Sequence, residues 1–234
     1  EGLVRIPEHL SFEEAATLPC AAVTAWSAAM VKGNLRPGQT LVTLGTGGVS
    51  LFAAQFGLLA GARVIATAST AEKLVIAAAN GADRTVLLPS PDALDQLRAA
   101  MPNGADVVFD PVGGDAFDLS LRCTGNEGRI LVIGFAAGRI QQVPANILLV
   151  KNIAVLGFNY GLYVGWGLKD ERHTHEAEVR TSMDRMFAWC EEGKLRPTTS
   201  HIFPLAQFAD AMAAVQERRG IGKVVLRMPR GEGG

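Results

Sequence analysis

The apolar run Thr40-Leu41-Val42-Thr43-Leu44 leads straight into Gly45-Thr46-Gly47-Gly48-Val49-Ser50, and the helix-like Leu51-Phe52-Ala53-Ala54-Gln55-Phe56 follows at once. A strand, a glycine turn and a helix in immediate succession constrain the fold more than anything else in the chain. This is the context in which a dinucleotide pyrophosphate can rest on a helix N-terminus. Gly45 permits the tight turn, and Gly47 lets the backbone close on phosphate oxygens, since neither has a Cβ to clash. The third glycine position holds Ser50, at a place that serves helix–strand packing.

Downstream, short β-branched runs alternate with helical stretches. Strands are expected at Thr40–Leu44, Arg63–Ala68, Thr85–Leu88, Asp106–Asp110 and Arg129–Ile133. Helices are expected at Val49–Leu59, Ala71–Asn80, Asp92–Met101 and Ala116–Cys123, with Gly81 at a left-handed C-cap. Ile153–Phe158 adds a sixth strand after a short helix at Ala145–Leu149. Strands this apolar, joined by crossovers, predict an α/β fold: a doubly wound parallel six-stranded sheet covered on both faces.

The flanks read differently. Ser11-Phe12-Glu13-Glu14 is a capping-box pattern opening a short helix that Pro19 should end, and a second helix runs from Ala21 to about Lys32. Beyond Phe158 the stretch Gly165–Glu176 is polar and glycine-interrupted. Helical spacing returns over Glu178–Glu192, then at Phe208–Arg218, before a closing strand at Ile221–Met228.

With 48% hydrophobic and 19% charged residues among 234, the chain can bury a real core and is no disordered segment. A net charge of −1 without a basic block argues against a nucleic-acid surface or an electrostatic membrane anchor. Apolar runs such as Gln141–Val150 are too short to span a bilayer, and the first residues do not resemble a signal peptide. Cys20, Cys123 and Cys190 are too widely spaced for a disulfide framework or a CxxC zinc cluster. The cytoplasm is the expected compartment.

An acidic residue about 20 positions past the glycines would bind the ribose 2′-hydroxyl of NAD. The corresponding Ile65-Ala66-Thr67-Ala68-Ser69-Thr70 has none. Ser69 and then Lys73 stand there instead, which favours the 2′-phosphate of NADP(H), with Arg84 a further contributor. Lys73 as a plain solvated helix residue is the competing reading.

Several stretches together resemble the medium-chain dehydrogenase/reductase superfamily, in its quinone oxidoreductase-like branch. They are Leu18–Trp26, the Gly45–Ser50 turn, Ala66–Ser69 with Glu72-Lys73, Val107–Gly114, Gly128–Gly138, Pro144–Asn152 and Gly222–Leu226. The resemblance implies a Rossmann domain with remnants of a second, mainly β catalytic domain. It divides the chain into a catalytic remnant at residues 1–20, the dinucleotide-binding domain at 21–160, its helical continuation at 161–200 and a C-terminal return at 201–234. A catalytic domain of about a hundred residues would precede Glu1 in such proteins.

The implied activity is NADPH-dependent reduction of quinones or other α,β-unsaturated carbonyls by hydride transfer. By resemblance, Thr24 lies near the nicotinamide, and Thr46, Gly47, Gly48 and Val49 face the pyrophosphate. Ser69 and Lys73 take the 2′-phosphate, and Asp110, Pro111 and Val112 edge the adenine side. The Ile133-Gly134-Phe135 and Phe158-Asn159 backbones hold the carboxamide. Relatives pair sixth strands, so Ile153–Phe158 is the expected homodimer edge. Leu88 departs from the pattern, standing where many members carry a tyrosine beside the 2′-phosphate. A zinc-dependent alcohol dehydrogenase, and a cofactor-binding module without turnover, are the alternatives.

The remaining candidates have plainer readings. No catalytic residue is assigned: Tyr160 and Tyr163 are the only tyrosines, and both read as structural. Cys20 matches a zinc-ligand position in metal-dependent relatives, but three protein ligands are needed and a buried free thiol is the simpler expectation. His173 and His175, spaced i, i+2, share no helix face and read as surface loop. His201 reads as a strand-end residue, Asp115 as a helix-start acid, and the Met183, Met186 and Cys190 stripe as core.

Overall fold

A computed structural model describes residues 4–229. Glu1–Leu3 and Arg230–Gly234, the outer ends of the first and last expected segments, lie outside the described residues. The first elements are the short helices α1 (Phe12–Ala15) and α2 (Val23–Trp26). Strand and helix then alternate: β1 (Thr40–Thr43), α3 (Gly48–Leu59), β2 (Arg63–Ala68), α4 (Ala71–Ala79), β3 (Arg84–Leu87), α5 (Ala93–Ala100) and β4 (Ala105–Asp110). Next come α6 (Asp115–Cys123), β5 (Thr124–Val132), α7 (Ala145–Lys151), β6 (Ala154–Gly157) and α8 (Arg172–Glu191). The chain closes with β7 (Thr199–Pro204), α9 (Phe208–Gln216) and β8 (Lys223–Arg227).

The first six strands form one sheet in the order β3-β2-β1-β4-β5-β6, every pair parallel. Order reverses between β1 and β4, and the carboxyl ends flanking such a switch point form the crevice where doubly wound folds bind ligands. Alternation of side chains across the sheet builds two buried layers. Leu41, Val107, Phe109 and Leu131 point into one, packed with Phe52 and Phe56 of α3 and Met183, Met186 and Phe187 of α8. Val42, Val108 and Ile130 point into the other, against Leu97 of α5 and Phe117 of α6. Each fully buried phenylalanine contributes about 1.5–3 kcal/mol of burial, so both faces are held. β7 and β8 make a separate two-stranded parallel sheet joined through α9.

Several expectations are corrected. The capping box is present, with both Ser11 and Glu14 bonds formed, but α1 ends at Ala15, and Pro19 instead opens the next helical stretch. That stretch is helical from Leu18 to Lys32, as π-helical segments on either side of α2. β5 starts at Thr124, five residues early, because a bulge absorbs the glycine-rich Gly125–Gly128. α8 begins at Arg172, so His173 and His175 are helical, not loop. His201 lies within β7 rather than at its end. Cys20 is exposed, since the helix turns its Leu18, Ala21 and Ala22 face to the core instead. The methionine stripe is core, as expected: Met183 and Met186 are buried.

Candidate functional site

β1 delivers the chain to Gly45, whose φ of +74° favours glycine, and Gly47 then caps α3 in extended conformation. The first N–H groups of a helix lack intrahelical partners and carry the positive end of its dipole. Here they follow a residue with nothing within 4 Å of where a Cβ would be. No acidic side chain occupies the first turn. Ser50 is buried, and its Oγ donates to the Leu44 carbonyl at 2.8 Å. The serine thus satisfies a carbonyl at the strand end that a glycine would leave open.

The turn after β4 leans on this one: Val112 Cγ2 lies 3.5 Å from the Cβ position of Gly45. Its shape is set by Asp110, whose Oδ1 accepts from the Val112 and Gly113 amides, both at 2.8 Å. Asp110 is fully buried and its Oδ2 has no partner. Burial pushes this carboxyl above the usual range, against the pull of the two amides. Its carboxylate therefore organises the turn and does not itself face the crevice. The loop after β5 is tied to the same turn, with the Ala136 and Ala137 amides donating to the Pro111 and Val112 carbonyls. Gly134 sits where a Cβ would approach the Pro111 oxygen to 3.2 Å. Phe135 is half exposed beside it, while Phe158 is buried and packs on Tyr163. Asn159 accepts from the Gly161 amide with its side chain and from the Leu162 amide with its carbonyl, so its backbone N–H is what it offers the crevice.

On the other side, Thr67 Oγ1 accepts from the Gly45 amide at 3.3 Å. Ser69 is exposed just past β2, and Thr70 caps α4 by accepting from the Lys73 amide. Lys73 Nζ donates to the Arg218 carbonyl at 2.7 Å, and the Arg218 guanidinium reaches the Ala136 carbonyl at 3.1 Å. Arg84 opens β3, at the strand's amino end, rather than standing on this rim. Leu88 is on the rim, its amide donating to the Ala68 carbonyl.

The structure therefore brings Thr46, Gly47, Gly48, Val49, Val112, Gly134 and Phe135 to one end of the sheet around the switch point. Ser69 with Lys73, and Phe158 with Asn159, flank them on opposite sides, four strand spacings or about 19 Å apart. Thr24 is 7% exposed on α2, in the helical layer that also contains Phe52 and Phe158.

Three residues that the sequence did not mark join this group. The Gly222 amide donates to the Thr46 carbonyl, the Lys223 side chain lies against Gly48, and Arg218 bridges Lys73 and Ala136. Gly222 and Lys223 belong to a stretch that carries the family resemblance, but contacts across 82 and 145 positions for Arg218, and more than 170 for Gly222 and Lys223, have no local signature.

Tyr160 and Tyr163 stack on each other at 6.2 Å, and Tyr163 packs on His175 at 4.4 Å. Burial pushes the Tyr160 hydroxyl up to about 12, poorly matched to proton donation near neutrality. Among the described residues no three His, Cys, Asp or Glu side chains come together to hold a metal. A catalytic zinc needs three protein ligands, and among the described residues no such set gathers at the exposed Cys20. Nor is any helix of the described residues long and apolar enough to cross a membrane.

Quinone oxidoreductase-like protein 2 of Mus musculus is 36% identical over 229 residues, covering 97% of this chain and 63% of the mouse protein. The chain thus spans under two thirds of that relative's length. The quinone oxidoreductase of Thermus thermophilus, solved also with NADPH, superposes with a TM-score of 0.82 at 30% identity, over 96% of this chain and 69% of its own. A crystal structure of an NAD-dependent alcohol dehydrogenase gives 0.82 at 32% identity, over 97% and 62%. The family described as zinc-binding dehydrogenase matches residues 48–173, from the first residue of α3 into α8. That is more than half of the chain, and with its strand order and switch-point glycine turn the chain belongs to this family, on the quinone oxidoreductase-like side of the medium-chain dehydrogenases/reductases.

Proposed function

We propose that this chain is the nucleotide-binding part of an NADPH-dependent oxidoreductase that reduces quinones or other α,β-unsaturated carbonyls. The observation that carries the reading is the glycine turn at the N-terminus of α3, set at the sheet's switch point with nothing within 4 Å of a Cβ on Gly47. The pyrophosphate would rest on the amides of Gly47, Gly48 and Val49, with the Lys223 ammonium as counter-charge. Ser69, Lys73 and Arg218 form the cationic corner for a 2′-phosphate, with no carboxylate in the Ile65–Thr70 segment to repel it. The Gly134, Phe135, Phe158 and Asn159 backbones, with Thr24 from the helical side, would orient the carboxamide. A bound nicotinamide supplies the hydride; the protein's contribution is position and exclusion of water.

Titration with NADPH and NADH in parallel, followed by nicotinamide fluorescence, tests this. Tight NADPH binding that weakens on Lys73→Ala supports it, and equal binding of both nucleotides removes the phosphate argument. The 32% identity to an NAD-dependent alcohol dehydrogenase makes that second outcome a definite rival. Turnover of a simple quinone separates the reductase from a cofactor-binding module without activity. The substrate is a small carbonyl or quinone, and the compartment is the cytoplasm.

The edge of the sheet supports a reading of assembly. β6 is an edge strand of half-buried apolar residues, Ala154–Leu156, and such an edge invites pairing with another copy. A homodimer through residues 153–158 is the proposed state; a monomer mass at micromolar concentration would exclude it.

A further inference from the structure

The amino end of the same sheet holds a cavity of about 660 Å³ where β4 and β5 begin. The crossover helices run opposite to the strands, so their C-termini gather there. α5, α6 and α7 each place a cation in the last turn: Arg98, Arg122 and Lys151. All three line the cavity, and no carboxylate does. The floor is backbone. Gly104 has a φ of +81°, a Cβ on it would strike the Gly125 backbone, and one on Gly125 would strike the Asn103 carbonyl.

Cations near helix C-termini are ordinary complements to the dipole. That accounts for Lys151, whose Nζ donates to the Leu121 carbonyl at 2.9 Å. Arg98 and Arg122 are exposed on their last turns, and neither guanidinium has a hydrogen-bond or ion-pair partner among the described residues, so both can turn into the cavity. Three like charges around one cavity repel; the Lys151 ammonium is held below its usual range chiefly by burial, with Arg98 adding a smaller push in the same direction. An anion in the cavity would relieve both. The volume suits a small-molecule ligand, and planar guanidinium forks match phosphoryl oxygens two at a time.

We propose that the cavity framed by Arg98, Arg122 and Lys151 binds a small phosphate-bearing anion, at the opposite end of the sheet from the glycine turn. The site is independent of the reading of the turn, because β4 alone puts about 20 Å between the two ends.

The test is a calorimetric titration of the chain with inorganic pyrophosphate, with amide NMR shifts recorded alongside. One equivalent should bind, shifting the amides of Gly104, Gly125 and Asn126. The double variant Arg98→Gln, Arg122→Gln should weaken binding at least about tenfold, and Arg98→Lys, Arg122→Lys should restore much of it. Arg139→Gln, on the exposed surface where it pairs with Asp115 and Asp118, should leave it unchanged. Parallel titrations with inorganic phosphate and AMP separate the sources: tighter AMP binding with the same shifts supports a nucleotide, and equal binding supports the phosphoryl group alone. Shifts confined to Gly47–Ser50 with loss of binding in Lys223→Gln, unchanged affinity in the glutamine double variant, or no saturation up to about 10 mM would each overturn the proposal.

Discussion

The two ends of the six-stranded sheet present different kinds of group to a charged ligand. At the carboxyl end the groups on offer are mostly backbone: the first amides of α3, the turn that Asp110 holds, and the carbonyls and amides after β5 and β6. At the amino end they are side chains, Arg98, Arg122 and Lys151, each on the last turn of a helix. Backbone donors are rigid and carry partial charge, so they define a position; long cationic side chains are mobile and carry full charge, so they define mainly a sign. Substitution should therefore act on geometry and stability at one end, and on affinity and its salt dependence at the other.

The harshest test of that contrast is Gly45→Val. A β-branched residue at a φ of +74° costs about 1–3 kcal/mol and displaces the turn from Val112. Nicotinamide fluorescence should show no NADPH binding, and the urea midpoint should fall. If binding survives, the carboxyl end does not depend on its backbone shape. Asp110→Ala comes next, leaving the buried Val112 and Gly113 amides without their acceptor at a cost of about 2–3 kcal/mol. Asp110→Asn retains an acceptor and removes a buried charge, and should stay near wild type. Because the folded-state pKa of Asp110 is raised, its contribution is fully present below 3.8 and is lost as pH rises through the folded value. The Asn variant should lack that component in urea midpoints measured against pH.

Lys73→Ala should weaken NADPH about tenfold, or about 1.4 kcal/mol, with NADH little changed in the same titration. At the amino end, burial pushes the Cys123 thiol from 9.0 up to about 11. Its stabilising contribution is complete below pH 9.0 and is lost as pH rises through about 11, on the order of 3 kcal/mol. Cys123→Ala should flatten the stability profile in that window, where a thermal midpoint series would detect it. The smallest effect belongs to Arg139, which pairs with Asp115 and Asp118 at 2.8 Å on an exposed surface. Asp118→Asn should leave the urea midpoint within error; a measurable loss would mean the carboxyl-end loops rest on side chains after all.

Much of this was legible in the residues because the signals are local. The alternation of β-branched runs and helical spacing placed the six strands of the main sheet, and Arg63–Ala68 coincides with β2. The elements that shifted did so for tertiary reasons. β5 reaches back to Thr124 because β4 offers it a partner across a bulge. α8 extends to Arg172 through a polar stretch, with His175 settled on Tyr163, where no periodicity marks a start. Cys20 faces outward because its helix spends its apolar side on Leu18, Ala21 and Ala22.

What the sequence determined by itself is the parallel sheet, its glycine turn and the missing acid after β2, since each depends on residues within one strand, turn or helix. Only the tertiary structure decided that Gly222 and Lys223 pack beside that turn, that Arg218 bridges Lys73 and Ala136, and that Arg98, Arg122 and Lys151 meet in one cavity. Those residues come from separate helices and strands, and nothing in local propensity encodes which helix ends a sheet will gather on one side. Packing of the two buried layers does that, and the charges arrive where the helices stop.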